Sequence, residues 1–181
     1  MTKSNLHYYI ITALFTAFIA IFSQITIPLP LVPLTGQTLA IGIAATILGR
    51  KYGTMSVLLY LIIGAVGVPV FAGMSGGIGK LVGPTGGYLV GFLPTAYIIG
   101  LMIEKTKLCF TNALIANIIG MIVTLTFGTI WLKISASLTW SAAIASGVTP
   151  FLLVGILKAA IAAYIAVLVR SRLLNTRYFR A

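Results

Sequence analysis

The chain has 181 residues, 60% of them hydrophobic and 7% charged, with twelve Lys and Arg against a single acid, Glu104, for a formal net charge of +11. A soluble domain carries about a quarter charged residues, so this composition excludes an ordinary water-soluble fold and indicates an integral membrane protein. The basic residues are scattered through short loops without an interleaved aromatic platform, which argues against nucleic-acid binding, and one cysteine, Cys109, cannot form an intramolecular disulfide.

Segments of about twenty apolar residues can each cross roughly 30 Å of hydrocarbon, and six such segments fit along this chain. The first helix is predicted over residues 8–26. Lys3 and His7 precede it, but no small-x-small cleavage site follows, so it reads as a retained helix and not as a signal peptide. It ends in "IPLPLVPLTG", where Pro28, Pro30 and Pro33 cannot continue a helix and favour extended geometry in the residues before them. The second helix, 37–48, stops at "GRKYG", and the third covers 54–66; both are short, so one of these middle helices is shallow or tilted. The richest glycine stretch, "GVPVFAGMSGGIGKLVGPTGG", then leads into the fourth helix, 87–103, and the polar turn "EKTK". The fifth helix is predicted over 111–132 and the sixth over 150–169. The mildly apolar "KISASLTWSAAIASGVT" between them lies along the surface or extends the fifth. The expected fold class is therefore an all-α integral membrane bundle of six transmembrane helices, forming a single domain over residues 1–181.

Charge placement gives the expected orientation. With the N-terminus inside and six crossings, Lys3, Arg50, Lys51, Lys105, Lys107, Arg170, Arg172, Arg177 and Arg180 fall on the cytoplasmic side. Only Lys80 and Lys133 fall outside and Lys158 lies within a span, an asymmetry that favours an N-in, C-in topology. Small residues recur four apart at Ala13 and Ala17, Gly87 and Gly91, Ala116 and Gly120, and Ala159 and Ala163. Such pairs let helix backbones approach closely, most of them for internal packing, and one set is free to face a partner protein.

Catalytic readings lack the necessary parts. A nucleophile needs a base beside it, yet the only histidine, His7, precedes the first helix and the only acid ends the fourth. No two of Cys, His, Asp or Glu are placed to share a metal ion. "GGIGK" lacks the spaced first glycine and the following Ser or Thr of a phosphate-binding loop, and no intramembrane carboxylate is available for proton or sodium coupling. The chain is expected to be no enzyme and to use no cofactor or metal; any energy for uphill transport must come from another protein.

Lys158 is the exception within an apolar helix. Eight residues beyond Pro150, it lies about 12 Å along the helix, too deep to snorkel easily, and an intramembrane lysine costs about 3 kcal/mol. A bland role has it neutral on burial or paired with oxygens such as those of Thr124 or Thr126. The functional role has it facing the bundle interior as half of an ion pair, with the other half on an anionic ligand, because no side-chain carboxylate is available in that half of the chain. Near the outer mouth, "SGGIGKLVGPTGGYLVGF" adds Lys80, Thr85, Tyr88 and exposed backbone N–H groups suited to polar or anionic groups.

Three stretches, "PLVPLTGQTLA", "FAGMSGGIGKLVGPTGGYLVGF" and "PFLLVGILKAA", in this order and spacing, resemble the biotin-specific substrate-binding (S) subunits of bacterial energy-coupling-factor (ECF) vitamin importers, over essentially the whole chain. The resemblance implies a six-helix protein of the bacterial cytoplasmic membrane that captures biotin from outside, in a pocket closed by the loop from Thr26 to Gly36. It implies a pocket formed by Lys158, Gly155, Gln37, Phe71, Gly73, Ser75, Gly76, Gly77, Lys80, Thr85, Gly86, Tyr88 and Asn117, with Lys158 reading the ligand's carboxylate or another polar group. It also implies that Ala13, Ala17 and Ala20 dock a transmembrane coupling protein that works with two cytoplasmic ATPases. Members of this family carry an aspartate three residues before the lysine, where this chain has Gly155. Either another acceptor, such as Gln37 or Asn117, replaces it, or affinity or substrate preference differs.

Two other classes of function fit parts of the pattern. In an anion-selective channel or other small-anion transporter subunit, Lys158 and Lys80 would line the path. In a purely structural membrane subunit, Lys158 would be a tolerated packing oddity.

Overall fold

The structure, a computed structural model, describes residues 3–174. Arg177 and Arg180, two of the basic residues assigned to the inner side, lie outside the described residues. The elements in chain order are α1 (Lys3–Ser23), β1 (Thr26–Ile27), β2 (Leu34–Thr35), α2 (Gln37–Ala65), α3 (Ile78–Val82), α4 (Gly86–Lys105), α5 (Phe110–Ser135), α6 (Trp140–Gly147) and α7 (Thr149–Leu174). The fold is mostly helical. Among the described residues, four stretches are long and apolar enough to cross a membrane: those in α1, α4 and α5, and Trp140–Arg172, which contains α6 and α7.

The helices expected over 37–48 and 54–66 are the two arms of α2. Gly49 interrupts it with φ 75° and ψ −174°, a left-handed conformation that a Cβ would strain. The arms fold back on each other. The amide of Gln37 donates to the hydroxyl of Tyr60 at 2.5 Å, although the two residues would be separated by roughly 34 Å along one straight helix. At Gly53 a Cβ would come within 2.8 Å of Ala45 Cα, so this glycine is what lets the arms touch near the bend.

The bend breaks a helical hydrogen bond, and side chains from two other helices satisfy both halves of it. In an uninterrupted helix the Arg50 N–H would donate to the Thr46 carbonyl. Here the Arg50 N–H donates to Glu104 Oε1 at 2.8 Å, and Arg170 Nη1 donates to the Thr46 carbonyl at 2.7 Å. Glu104 Oε2 also lies 3.0 Å from Arg50 Nε. The chain's single acid therefore serves the bend, and it draws the ends of α4 and α7 to the same end of the bundle.

Close packing follows the small residues. Gly87 and Gly91 of α4 lie against Trp131 and Phe127 of α5, and Gly120 of α5 lies against Ile99 of α4, with Thr95 Oγ1 donating to the Gly120 carbonyl at 3.1 Å. Ala159 and Ala163 are buried in α7. Helices α1 and α2 are joined by two reciprocal bonds, Thr16 Oγ1 to the Ser56 carbonyl at 3.0 Å and Ser56 Oγ to the Thr12 carbonyl at 3.1 Å. Ala13 and Ala17 are left exposed on the outer face of α1.

Four expectations change in detail. The first helix stops at Ser23 instead of running to Thr26, because the chain turns into β1, which pairs antiparallel with β2 (Thr26 with Thr35, Ile27 with Leu34). The proline-rich segment is thus a short hairpin. The glycine stretch contains a one-turn helix, α3, and the segment after α5 forms its own helix, α6, started by Thr139 Oγ1 accepting from the Ala142 N–H at 3.3 Å.

Candidate functional site

A cavity of about 550 Å³ lies between the first arm of α2, α4, α5 and α7, roofed at the end away from Glu104 by the β1–β2 hairpin and the segment from Phe71 to Thr85 and reaching inward to Ile99 and Asn117. That volume lies within the range of about 300–1,000 Å³ typical of small-molecule sites. Its walls are mainly apolar and aromatic, with Val32, Phe71, Leu89, Phe92, Met121 and Phe151 prominent among them. A small set of polar groups interrupts these walls.

Lys158 reaches this cavity from α7, half-buried, and its Nζ donates to the Thr35 carbonyl at 2.7 Å. Neither Thr124 nor Thr126 is its partner. Thr124 pairs with Thr95, hydroxyl to hydroxyl at 2.7 Å, and Thr126 bonds back to the Ile122 carbonyl of its own helix. Among the described residues one of the three ammonium hydrogens is engaged, and Glu104, the chain's only acidic side chain, is committed to Arg50. The cation therefore faces the cavity without a carboxylate partner among the described residues.

From Thr35 the network continues inward. Thr35 Oγ1 donates to Gln37 Oε1 at 2.6 Å, and the Gln37 amide is spent on Tyr60. Gln37 is 4% exposed and held at both ends of its side chain, which makes it a fixed wall and not a free acceptor. Asn117 is different. Its Nδ2 donates to Thr46 Oγ1 at 3.1 Å and to the Ala113 carbonyl at 2.8 Å, while its Oδ1 accepts no hydrogen bond among the described residues. A buried amide acceptor beside a cavity is suited to a ligand N–H.

Gly155 borders the cavity one turn before Lys158, facing Met121. A Cβ at this position would come within 2.3 Å of Met121 Sδ, so the thioether of α5 already fills the space that any side chain here would need. Tyr88 is anchored too, its ring lying against Gly128 and its hydroxyl donating to the Gly147 carbonyl at 2.9 Å. Its aromatic face is what it offers to the cavity.

Of the positions singled out in the sequence, Gln37, Phe71, Ser75, Gly76, Lys80, Thr85, Tyr88, Asn117, Gly155 and Lys158 border this one cavity. Gly73, Gly77 and Gly86 do not. Gly73 and Gly77 supply positive φ values of 67° and 93° to the turns around it, and Gly86 brings α4 against the Leu81 carbonyl, where a Cβ would lie 1.8 Å away. Thr35 belongs to the loop from Thr26 to Gly36 that was expected to close the pocket, whereas Phe92 and Met121 are lining residues outside the expected set. Each lies four residues beyond an expected site residue, Tyr88 and Asn117, so helical spacing is the signal that finds them.

A second, shallower groove lies on the outer side of α1, lined by Ala13, Thr16, Ala17, Ala20, Ile21 and residues of the second arm of α2. It is apolar and shares Tyr60 with the wall behind Gln37.

Comparison with known proteins matches this arrangement to a family. The chain is 39% identical over 180 residues to the "Biotin transporter BioY2" of Lactococcus lactis subsp. cremoris, covering 99% of each chain. It is 41% identical over 153 residues to the "Biotin transporter BioY" of Thermotoga maritima, covering 84% of this chain and 89% of that one. A crystal structure described as the S-component for biotin from an ECF-type ABC transporter superposes with a TM-score of 0.87 at 29% identity, covering 94% of each chain. The BioY family model matches residues 1–175. On this match, over nearly its whole length, the chain belongs to the BioY family.

Proposed function

We propose that the chain is the biotin-binding S component of an ECF-type importer and performs no catalysis itself. The observation that carries this reading is the cavity: an aromatic slot of ligand size with an uncompensated ammonium, Lys158, and an open amide acceptor, Asn117. Biotin offers the complementary parts, an apolar ring system, ureido N–H groups and a carboxylate. Lys158 pairs with the carboxylate or another polar group of the ligand, and Asn117 Oδ1 takes the acceptor role for which Gly155 has no side chain. Gln37 is the weaker candidate for that role because both ends of its amide are engaged.

In this reading the protein crosses a bacterial cytoplasmic membrane six times as a single domain, N-in and C-in, with each arm of α2 making one crossing. The grouping of Arg50, Lys51, Lys105, Lys107, Arg170 and Arg172 at the bend end of the bundle, with Lys80 and Lys133 toward the cavity end, supports it. The groove along Ala13, Ala17 and Ala20 docks a transmembrane coupling protein, which couples to two cytoplasmic ATPases. Family membership does not favour the alternative of an anion channel. Equilibrium binding of labelled biotin to the purified protein is the test: saturable one-to-one binding supports the reading, and none at all would overturn it.

A further inference from the structure

The turn from Phe71 to Ser75 forms part of the cavity roof, with Phe71, Ala72, Ser75 and Gly76 lining it. The turn is closed by the Phe71 N–H donating to the Ser75 carbonyl at 2.8 Å and the Ser75 N–H donating to the Phe71 carbonyl at 3.3 Å. Two successive residues at its tip have positive φ, Gly73 at 67° and Met74 at 53°. Glycine adopts this region without strain, whereas methionine does so at a cost that the surroundings must offset. The Met74 side chain offers little, being 71% exposed.

The compensation comes from the end of α1. Gln24 Oε1 accepts from the Met74 N–H at 2.9 Å, which fixes the strained peptide. On the other side of the same amide, Nε2 lies 3.3 Å from the Val70 carbonyl, 3.2 Å from the Phe71 carbonyl, 3.2 Å from the Ala20 carbonyl and 2.7 Å from Ser23 Oγ. Ser23 Oγ itself donates to the Val70 carbonyl at 2.5 Å. One glutamine thus grips both the root and the tip of the turn. Gln24 does not line the cavity, so any effect on a ligand must pass through the residues it holds.

We propose that Gln24 is a positioning residue for ligand binding: it holds the Phe71–Ser75 turn in the strained conformation that completes the cavity roof. This rests on the biotin-binding reading above, and it adds a determinant outside the cavity. With Gln24 replaced by alanine, Met74 has no acceptor to hold its left-handed backbone, and Phe71 and Ser75 are no longer fixed over the cavity. Glycine at position 74 removes the strain that Gln24 offsets, so it restores the turn without Gln24.

The experiment compares the full-length protein with Gln24→Ala, Met74→Gly and the double variant, measuring biotin affinity and backbone hydrogen exchange across residues 71–76 without ligand. Gln24→Ala is expected to weaken biotin binding about tenfold, the scale of one or two lost hydrogen bonds, and to speed exchange in that segment. The double variant is expected to recover most of both losses, and Met74→Gly alone to bind as the unmodified chain does. Unchanged affinity and exchange in Gln24→Ala, or a double variant no better than Gln24→Ala, would overturn the proposal. Absence of biotin binding by the unmodified chain would overturn the functional reading alone, because exchange across 71–76 reports on Gln24 without ligand.

Discussion

Lys158 on α7 donates a 2.7 Å hydrogen bond to the carbonyl of Thr35, the last residue of the β1–β2 hairpin. The cation that faces the cavity therefore also pins the roof segment that closes it. Replacing Lys158 with methionine keeps most of the side-chain bulk and removes this bond. Backbone hydrogen exchange across residues 26–36 is expected to rise in Lys158→Met without ligand, while exchange in α4 and α5 stays as it was. Equal protection of the hairpin in both proteins would show that Lys158 does not hold it.

The contact between Gly155 and Met121 predicts a compensating pair. Gly155→Ala places a methyl group where Met121 Sδ lies, and overpacking of this kind costs about 1–3 kcal/mol. A lower thermal midpoint and weaker biotin binding are expected. Shortening the neighbour in Gly155→Ala, Met121→Ala should recover affinity relative to Gly155→Ala alone, and failure of the second substitution to help would show that the two side chains do not compete for this space.

Glu104 predicts a loss of stability separated from any loss of binding. Glu104→Gln weakens the acceptor of the Arg50 N–H, a bond to a charged group worth about 1.5–3 kcal/mol. Its pairing with the half-exposed Arg50 guanidinium adds less, because solvent screens it. The thermal midpoint in detergent is expected to fall while biotin affinity changes less than about twofold, since neither Glu104 nor Arg50 borders the cavity. Gly49→Ala should be worse still, combining a strained positive φ with a Cβ 2.4 Å from Glu104 Oε1.

The exposed alanines of α1 predict the opposite separation. Ala17→Leu fills the outer groove without touching the cavity, so biotin affinity of the isolated protein should be unchanged. If this face docks the proposed coupling protein, copurification with that protein should fall sharply, and undiminished copurification would contradict the proposed docking role.

Much of the architecture was legible because membrane helices announce themselves by length and apolarity. The "GRKYG" stop, read as the gap between two helices, begins at Gly49, where α2 bends, and Lys158 is conspicuous as an interior charge. Its partner is not. Thr35 lies 123 residues away and contributes a backbone oxygen, which no side-chain pattern encodes. The use of Glu104 was hidden for the same reason, since an orphaned N–H appears only once the chain has bent at Gly49. The glycine stretch was legible as a loop, but not as one containing α3, and Gly73, Gly77 and Gly86 resembled ligand contacts because positive φ and close backbone approach serve turns and binding sites alike.

The most direct measurement of the central claim is a four-way comparison of equilibrium affinity: biotin and biotin methyl ester, each against the unmodified protein and Lys158→Ala. A hydrogen-bonded pair between ammonium and carboxylate is worth about 1.5–3 kcal/mol, or roughly ten- to a hundredfold in affinity. The unmodified protein should prefer the free acid by about that factor, and the preference should vanish in Lys158→Ala. An identical preference in both proteins, or none in either, would contradict a site in which Lys158 pairs with the ligand's carboxylate.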